Sequence, residues 1–207
     1  MYIGNTRKSY KNQESIFDDI KDPLIKFHQW YMHALKKVSE PNAFALSTLN
    51  KNVPSSRMML LKEYNDRFLF YTNSSSKKGA DISQNKNASM LFWWKEVHRQ
   101  IRINGNLKKI DKKRVEKYFY SRPIESQVGA LISNQSKPIK SYDLLIDKYH
   151  ETIKKYKNKK IPFPKNWIGI ELVPKKIEFW QGGEFRIHQR LEFNKRGEKW
   201  YQKILSP

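Results

Sequence analysis

The chain has 207 residues, 41 of them Lys or Arg against 20 Asp or Glu, a formal net charge of +21, no cysteine, and 14% aromatic residues. That aromatic content suffices for one sizeable core and speaks against disorder; the lack of cysteine excludes disulfide frameworks and thiolate metal sites and fits a reducing cytoplasm. The polar start "MYIGNTRKSYKNQES" has no apolar leader core, and no apolar run approaches the roughly 18 to 20 residues of a membrane span, so a soluble cytoplasmic protein is expected.

In chain order, residues 1–20 lack periodicity and are expected as a mobile arm, with residues 21–207 forming a single domain. A helix then begins at Asp22-Pro23, Asp as N-cap and Pro at the first helical position, with Leu24, Phe27, Tyr31, Ala34, Leu35 and Val38 as its apolar stripe to about Ser39. After Pro41 come short β-rich runs, "NAFALSTLN", "PSSRMMLLK", "RFLFYTN", "ASMLFWW" and "RQIRINGNLKKI", separated by turn residues, which predict an antiparallel meander. "SSSKKGADISQNK" interrupts it as one short helix. Residues 111–121 and 123–131 read as two short helices split at Pro123, and 141–158 as a longer amphipathic one. Strands near 167–173, 175–181, 185–193 and 198–204 close the chain. Eight or so strands without βαβ alternation predict an α+β fold, an antiparallel barrel with peripheral helices.

The positive charge is mostly lysine, spread along the chain and dense only at Lys154–Lys160, which reads as a solvated surface rather than a nucleic-acid stripe. The 10 arginines are the more informative cations, because a guanidinium fork suits phosphate and carboxylate. No glycine-rich phosphate fingerprint is present, and the histidines at 28, 33, 98, 150 and 188 lack metal spacing. His28 and His33 read as structural or exposed.

Three segments stand out. In "EFWQGGEFRIHQR", a strand over 185–191 after a two-residue Gly182-Gly183 turn would put Arg186, His188 and Arg190 on one face, either the charged face of an edge strand or an anion site walled by Trp180. In "RMMLLK", Arg57 and Lys62 bracket an apolar run, as snorkelling ends or as ligands. In "YFYSRPIESQ", Tyr118, Arg122 and Ser126 recur every four residues and offer phenol, guanidinium and hydroxyl, a set that suits phosphate oxygens and also arises by chance.

Taken together and in order, these segments resemble the pyridoxamine 5'-phosphate oxidase family. The resemblance is carried by Arg57–Lys62, Tyr71-Thr72, Ser76-Lys77-Lys78, Arg99-Gln100, Tyr118–Pro123, Glu125-Ser126-Gln127, Gln135-Ser136, and Glu178–Glu184 through Arg186-x-His188-x-Arg190, and it spans nearly the whole chain. It implies the FMN-binding split barrel, a homodimer with its sites between subunits, and oxidation of pyridoxamine and pyridoxine 5'-phosphates by O2 to pyridoxal 5'-phosphate, with hydrogen peroxide, and ammonia from the amine. By the same resemblance, FMN contacts fall on Arg57, Met58, Met59, Leu60, Leu61, Lys62, Tyr71, Thr72, Lys77, Lys78, Gln100, Gln135, Ser136, Trp180 and Arg190. Substrate contacts fall on Lys62, Tyr118, Arg122, Ser126, Arg186, Ile187 and His188, of which Arg186 and His188 hold the ring, with Arg7, Lys8, Ser9 and Tyr10 as a lid. Two departures from the family pattern stand out: Lys77 replaces a common Arg, losing the bidentate fork, and Ser9 replaces a commonly acidic residue.

Overall fold

The computed structural model describes residue 10 and residues 14–207. Helix α1 covers Pro23–Ala34, and the Asp22 carboxylate accepts from the Leu24 N–H at 2.8 Å, the N-cap that the sequence predicts. The helix ends earlier than expected, and Leu35 is half exposed. In its place Trp30 turns inward against Phe179, while Phe27 is ringed by Tyr31, Tyr64, Phe68, Phe92 and Trp94. Burying a ring of this size contributes about 1.5–3 kcal/mol.

Lys26 also points inward and is fully buried. Its ammonium donates to Asp18 at 2.6 Å and to the Ile16 carbonyl at 2.8 Å, so the charge is matched and hydrogen-bonded rather than merely desolvated. Residues 14–20, expected as part of an arm, therefore lie pinned across the sheet: Ile16 is in the core and its N–H donates to Gln189 Oε1 at 2.8 Å.

The predicted meander follows as β1 (Ala43–Asn50), β2 (Val53–Leu60), the two-residue β3 (Glu63–Tyr64), β4 (Phe68–Asn73), β5 (Asn87–Trp94) and β6 (Arg99–Lys109), with the short helix α2 (Lys77–Gln84) between β4 and β5. Then come α3 (Lys112–Ser121), α4 (Ile124–Ile132) and α5 (Tyr142–Tyr156), broken where Pro123 and the 133–140 loop break them. The chain closes with β7 (Trp167–Gln181), β8 (Gln189–Arg196) and β9 (Lys199–Ile204).

All strand pairings are antiparallel, in the order β2-β1-β5-β6-β7-β4-β3, and the sheet curls into a half-barrel. Strand β7 is the organising element. One edge pairs with β6 along its length; the other pairs with β4 over residues 167–172 and with β8 over 176–181, which splits the sheet into two branches.

The sequence reading breaks β7 into two strands at Pro174. The break does not occur, because the register shifts at Asn104/Gly105 and absorbs the proline in a bulge, between the segments paired to β4 and to β8. Gly105 permits it: a Cβ there would lie 2.0 Å from the Val173 carbonyl oxygen.

Two apolar cores result. The larger fills the curl of the sheet under α1, and the smaller, built on Val115, Phe119, Val128, Ile132, Ile161 and Trp167, joins α3 and α4 to the start of β7.

Candidate functional site

A cleft of about 670 Å³ opens beside the smaller core, lined among others by Met59, Leu60, Lys62, Tyr71, Thr72, Tyr118, Arg122, Ser126 and Gln135. Two strands, two helices and the loops that adjoin them deliver these side chains. β2 and the residues after it supply Met59, Leu60 and Lys62; β4 supplies Tyr71 and Thr72; α3, α4 and their junction supply Tyr118, Arg122 and Ser126; and the loop after α4 supplies Gln135. Thus the four side chains expected to hold substrate phosphate, Lys62, Tyr118, Arg122 and Ser126, share one wall system with five of those expected to hold FMN, Met59, Leu60, Tyr71, Thr72 and Gln135.

Electrostatically the cleft has an excess of unmatched cations. Arg122 Nη1 is buried and has no hydrogen-bond partner, and burial pulls the guanidinium pKa down, opposed only by the Tyr118 phenol. An orphaned buried donor of this kind costs about 1–3 kcal/mol, more when charged, unless a ligand satisfies it. Helix α4 begins at Pro123 without a side-chain cap, so its positive end also faces this wall.

A second unmatched cation lies just behind Thr72 and Gln135. Ser76 caps α2, its hydroxyl accepting from the Gly79 N–H, and this holds Lys78 inward. Its ammonium donates to Gln135 Oε1 at 2.7 Å and to Ser76 Oγ at 3.5 Å, both neutral acceptors. Burial, reinforced by the nearby Arg57 charge, lowers the Lys78 pKa to about 8. Arg57 in turn donates to Thr48 Oγ1 and the Leu46 carbonyl and lies 3.6 Å from the fully buried Asp81 carboxylate. Two cations, one carboxylate and neutral acceptors make a site that fits the phosphate of a cofactor such as FMN. Lys77, by contrast, is exposed on the outer side of α2, and Ser136 is exposed in a left-handed conformation (φ 69°).

Tyr71, Tyr118 and Trp167 stack with their planes within 10° of parallel, Tyr71 on Tyr118 at 4.1 Å and on Trp167 at 4.9 Å. Burial raises the Tyr71 phenol to about 12, so it stays protonated. Beneath it, the buried Glu171 accepts from Arg67 and Arg114, and Arg114 also reaches Glu63, which ties α3 to β7 and β3. Trp167 and this ion-pair network are absent from the sequence-based site; the 45-residue gap between Arg122 and Trp167 carries no signal.

Gln100, Trp180, Arg186, Ile187, His188 and Arg190 form a separate group at the opposite end of β7. Trp180 pairs across the sheet with Gln100 and Arg190, and its ring lies 4.7 Å from that of His188. From Gly169, the partner of Tyr71, to Trp180 is on the order of 30 Å along the strand, so a single protomer does not bring the two groups together.

This second group corrects the predicted hairpin. Residues 185–188 are not strand: Glu184–Arg186 form a tight turn in which Phe185 (φ 52°) and Arg186 (φ 68°) are left-handed, and β8 starts at Gln189. The two-residue alternation of Arg186, His188 and Arg190 therefore does not operate. The glycines serve close approach instead of a tight turn, since a Cβ on Gly183 would sit 2.1 Å from the Ile187 carbonyl oxygen and one on Gly182 would strike the Tyr10 ring at 2.7 Å. The Gly183 N–H donates to His188 Nδ1 at 3.1 Å, which leaves the neutral imidazole its proton on Nε2.

Arg190 is committed within the fold, donating to the buried Glu178 at 2.9 Å and to the Ser206 carbonyl, while Arg102 holds the other Glu178 oxygen. Arg186 and Ile187 are exposed on the turn, Met58 is exposed on the sheet edge, and Leu61 belongs to the large core. Tyr10 packs against His98, Trp180 and His188; Arg7, Lys8 and Ser9 lie outside the described residues. His28 and His33 meet Tyr64 and Arg99 respectively, each at 3.0 Å. Among the described residues no group of His, Asp or Glu is arranged to hold a metal, and no helix is long and apolar enough to cross a membrane.

Residues 32–156 match the family described as pyridoxamine 5'-phosphate oxidase, and residues 167–207 match the pyridoxine 5'-phosphate oxidase C-terminal dimerisation region. The chain is 44% identical to the pyridoxine/pyridoxamine 5'-phosphate oxidase of Pelagibacter ubique, over 98% of this chain and 100% of that one. It is 46% identical to the protein of the same name from Leptospira biflexa, over 90% and 89%. Among solved structures, PhzG from Burkholderia lata in complex with tetrahydrophenazine-1-carboxylic acid superposes with a TM-score of 0.86 at 28% identity, covering 92% of this chain and 95% of that one. A pyridoxamine 5'-phosphate oxidase-related, FMN binding protein from Nostoc punctiforme shares the fold at a TM-score of 0.72 and 15% identity, covering 90% and 98%. The chain belongs to the pyridoxamine 5'-phosphate oxidase family.

Proposed function

We propose that the protein oxidises pyridoxamine 5'-phosphate and pyridoxine 5'-phosphate to pyridoxal 5'-phosphate with FMN as cofactor and O2 as acceptor, working as a homodimer in the cytoplasm. The observation that carries this reading is a pair of unmatched cations: the half-buried Arg122, whose Nη1 has no partner, at one wall of the cleft and the buried Lys78 behind the other. A flavin mononucleotide and a phosphorylated substrate each bring one phosphate. Lys78 and Arg57, with Gln135 and Thr72, would hold the first; Lys62, Tyr118, Arg122 and Ser126 would hold the second.

The chemistry that FMN supplies when bound is two-electron acceptance from the substrate carbon and return of those electrons to O2 as hydrogen peroxide. The chain's own part is placement and electrostatics. Met59 and Leu60 give the cleft an apolar wall between the two phosphate positions. Arg186 and His188 would hold the pyridine ring, and because they lie far from Arg122 within one protomer, they are assigned to the cleft of the partner subunit. The dimerisation region begins at Trp167 and includes both of them, which supports that assignment.

PhzG, with its tricyclic ligand, makes a different ring substrate the competing reading, but the relatives named for the vitamin B6 phosphates are closer in sequence, at 44–46% against 28% identity. Purified protein reconstituted with FMN decides between them. It is expected to show flavin absorbance and to release peroxide with pyridoxamine 5'-phosphate; a protein that stays colourless, or binds flavin without turning over either vitamin B6 phosphate, would refute the proposal.

A further inference from the structure

We propose that Trp167 is a positioning residue for substrate phosphate: its indole holds the Arg122 guanidinium in place at the cleft wall while leaving the guanidinium donors unspent. The inference rests on the reading of that wall as a phosphate cradle and adds to it the group that makes the cradle work.

Arg122 is anchored well at its backbone and weakly at its head. Its N–H donates to the Phe119 carbonyl at 3.3 Å, and its carbonyl accepts from Gln127 Nε2 at 2.8 Å, fixing it at the junction of α3 and α4. Beyond that point, among the described residues, the side chain has no hydrogen bond or ion pair, and Nη1 is buried without a partner. What it does have is the Trp167 ring, with the guanidinium carbon 4.9 Å from the ring centroid.

An indole face attracts a cation through its quadrupole, and a guanidinium is weakly enough hydrated to accept that exchange for water. A contact with a ring face consumes no N–H donor, so the guanidinium keeps its hydrogen-bonding capacity for a phosphate oxygen pair. A carboxylate in the same place would also hold the arginine, but it would neutralise the charge and compete with the incoming anion. The chain places its carboxylates elsewhere: Glu171 is engaged by Arg67 and Arg114.

The indole is itself held rigidly. Phe119 and Phe163 meet it edge-on at 5.2 and 6.3 Å, while Tyr71 and Tyr118 lie parallel to it. Trp167 is also the first residue of β7, so its backbone is fixed by the pairing with Asn73. A rigid platform under a long flexible side chain lowers the ordering cost at binding.

The experiment uses the FMN-loaded enzyme and four variants, Trp167→Leu, Trp167→Phe, Arg122→Ala and the Trp167→Leu/Arg122→Ala double variant. Trp167→Leu is expected to raise KM for pyridoxine 5'-phosphate by about tenfold, the scale of a desolvated cation–π contact, with kcat within about twofold. Competitive inhibition by inorganic phosphate should weaken in parallel. Trp167→Phe keeps a ring face and should stay within about threefold of wild type. In the Arg122→Ala background the Leu substitution should add less than about twofold, because its effect runs through the arginine. Where Trp167→Leu does not fold, Trp167→Met fills comparable space without a π face and carries the same expectations.

A Leu or Met effect of equal size with and without Arg122, or a Phe variant as impaired as Leu, would overturn the proposal and leave the phosphate reading intact. An unchanged KM in Arg122→Ala alone would overturn the phosphate reading first, and the role of Trp167 with it.

Discussion

Lys78 Nζ lies 2.7 Å from Gln135 Oε1, joining α2 to the loop after α4 by a hydrogen bond from a buried ammonium to a neutral amide. With its pKa lowered to about 8, Lys78 releases its proton within an accessible pH range. A bound phosphate would hold that proton, so binding is linked to it: FMN affinity is expected to weaken as pH rises above about 8, by up to tenfold per pH unit. Titration of apoenzyme by quenching of flavin fluorescence between pH 7 and pH 10 measures this, and Lys78→Met should flatten the profile. The stability of the apoprotein runs the opposite way. Its folded pKa is below the unfolded value, so the unfolded chain binds more protons between the two, and the unfolding free energy rises with pH across that window. An FMN affinity independent of pH up to pH 10 would remove Lys78 from the phosphate site.

Arg122→Ala trades stability against binding. Removing a half-buried guanidinium whose buried Nη1 has no hydrogen-bond partner relieves a desolvation cost, so the thermal midpoint of the apoprotein should hold or rise. Its loss as a phosphate ligand should raise KM by about ten- to a hundredfold, the equivalent of a charge-assisted contact of roughly 1.5–3 kcal/mol. Steady-state kinetics and a melting curve on the same preparation test both halves, and a lower midpoint with unchanged KM would make Arg122 structural.

How far the sequence reached depends on whether a feature is local. Caps and breakers are: Asp22 caps α1 and Pro123 divides two helices, as the sequence predicts. The antiparallel, non-alternating order of strands was equally legible. Pro174 misled because a bulge is a property of two strands, and the partner that accommodates it, Gly105, is far away in sequence. The turn at 184–188 misled for a related reason. Alternating residue types suggest a strand, but Phe185 and Arg186 adopt positive φ, and the turn is closed by its own backbone, the Ile187 N–H donating to the Glu184 carbonyl at 2.8 Å. For the candidate site, short spacing singled out Tyr118, Arg122 and Ser126, family resemblance added Lys62 and Gln135, and the structure lines one cleft with all five. Trp167 and Glu171 act through long-range contacts that no spacing records.

Gly183→Ala tests the turn directly. The added methyl would stand 2.1 Å from the Ile187 carbonyl oxygen, with backbone rather than a yielding side chain in its way, so residues 184–188 must move. The shift carries Arg186 and His188 away from their positions and breaks the N–H contact to His188 Nδ1. Turnover should fall by an order of magnitude or more, since a misplacement of about 1 Å is worth about a hundredfold, while FMN binding at Lys78 and Arg57 stays near wild type. A variant with wild-type kcat would separate this turn from catalysis.

The last prediction concerns the distance between Arg122 and Arg186. Within one protomer they belong to groups at opposite ends of β7, on the order of 30 Å apart along the strand. If the cleft of one subunit is completed by the 184–188 turn of the other, an Arg122→Ala homodimer and an Arg186→Ala homodimer are each impaired at both sites, the first in KM and the second in kcat. Unfolding and refolding an equal mixture redistributes the chains. Random pairing gives about half heterodimers, and a shared site collects both substitutions in one cleft and neither in the other. The refolded mixture should thus recover roughly a quarter of wild-type turnover at low substrate, where Arg122→Ala homodimers contribute little. If each subunit instead built its own site, every cleft would carry one substitution whatever the pairing, and mixing would restore nothing. Recovery without prior subunit exchange would also count against shared sites.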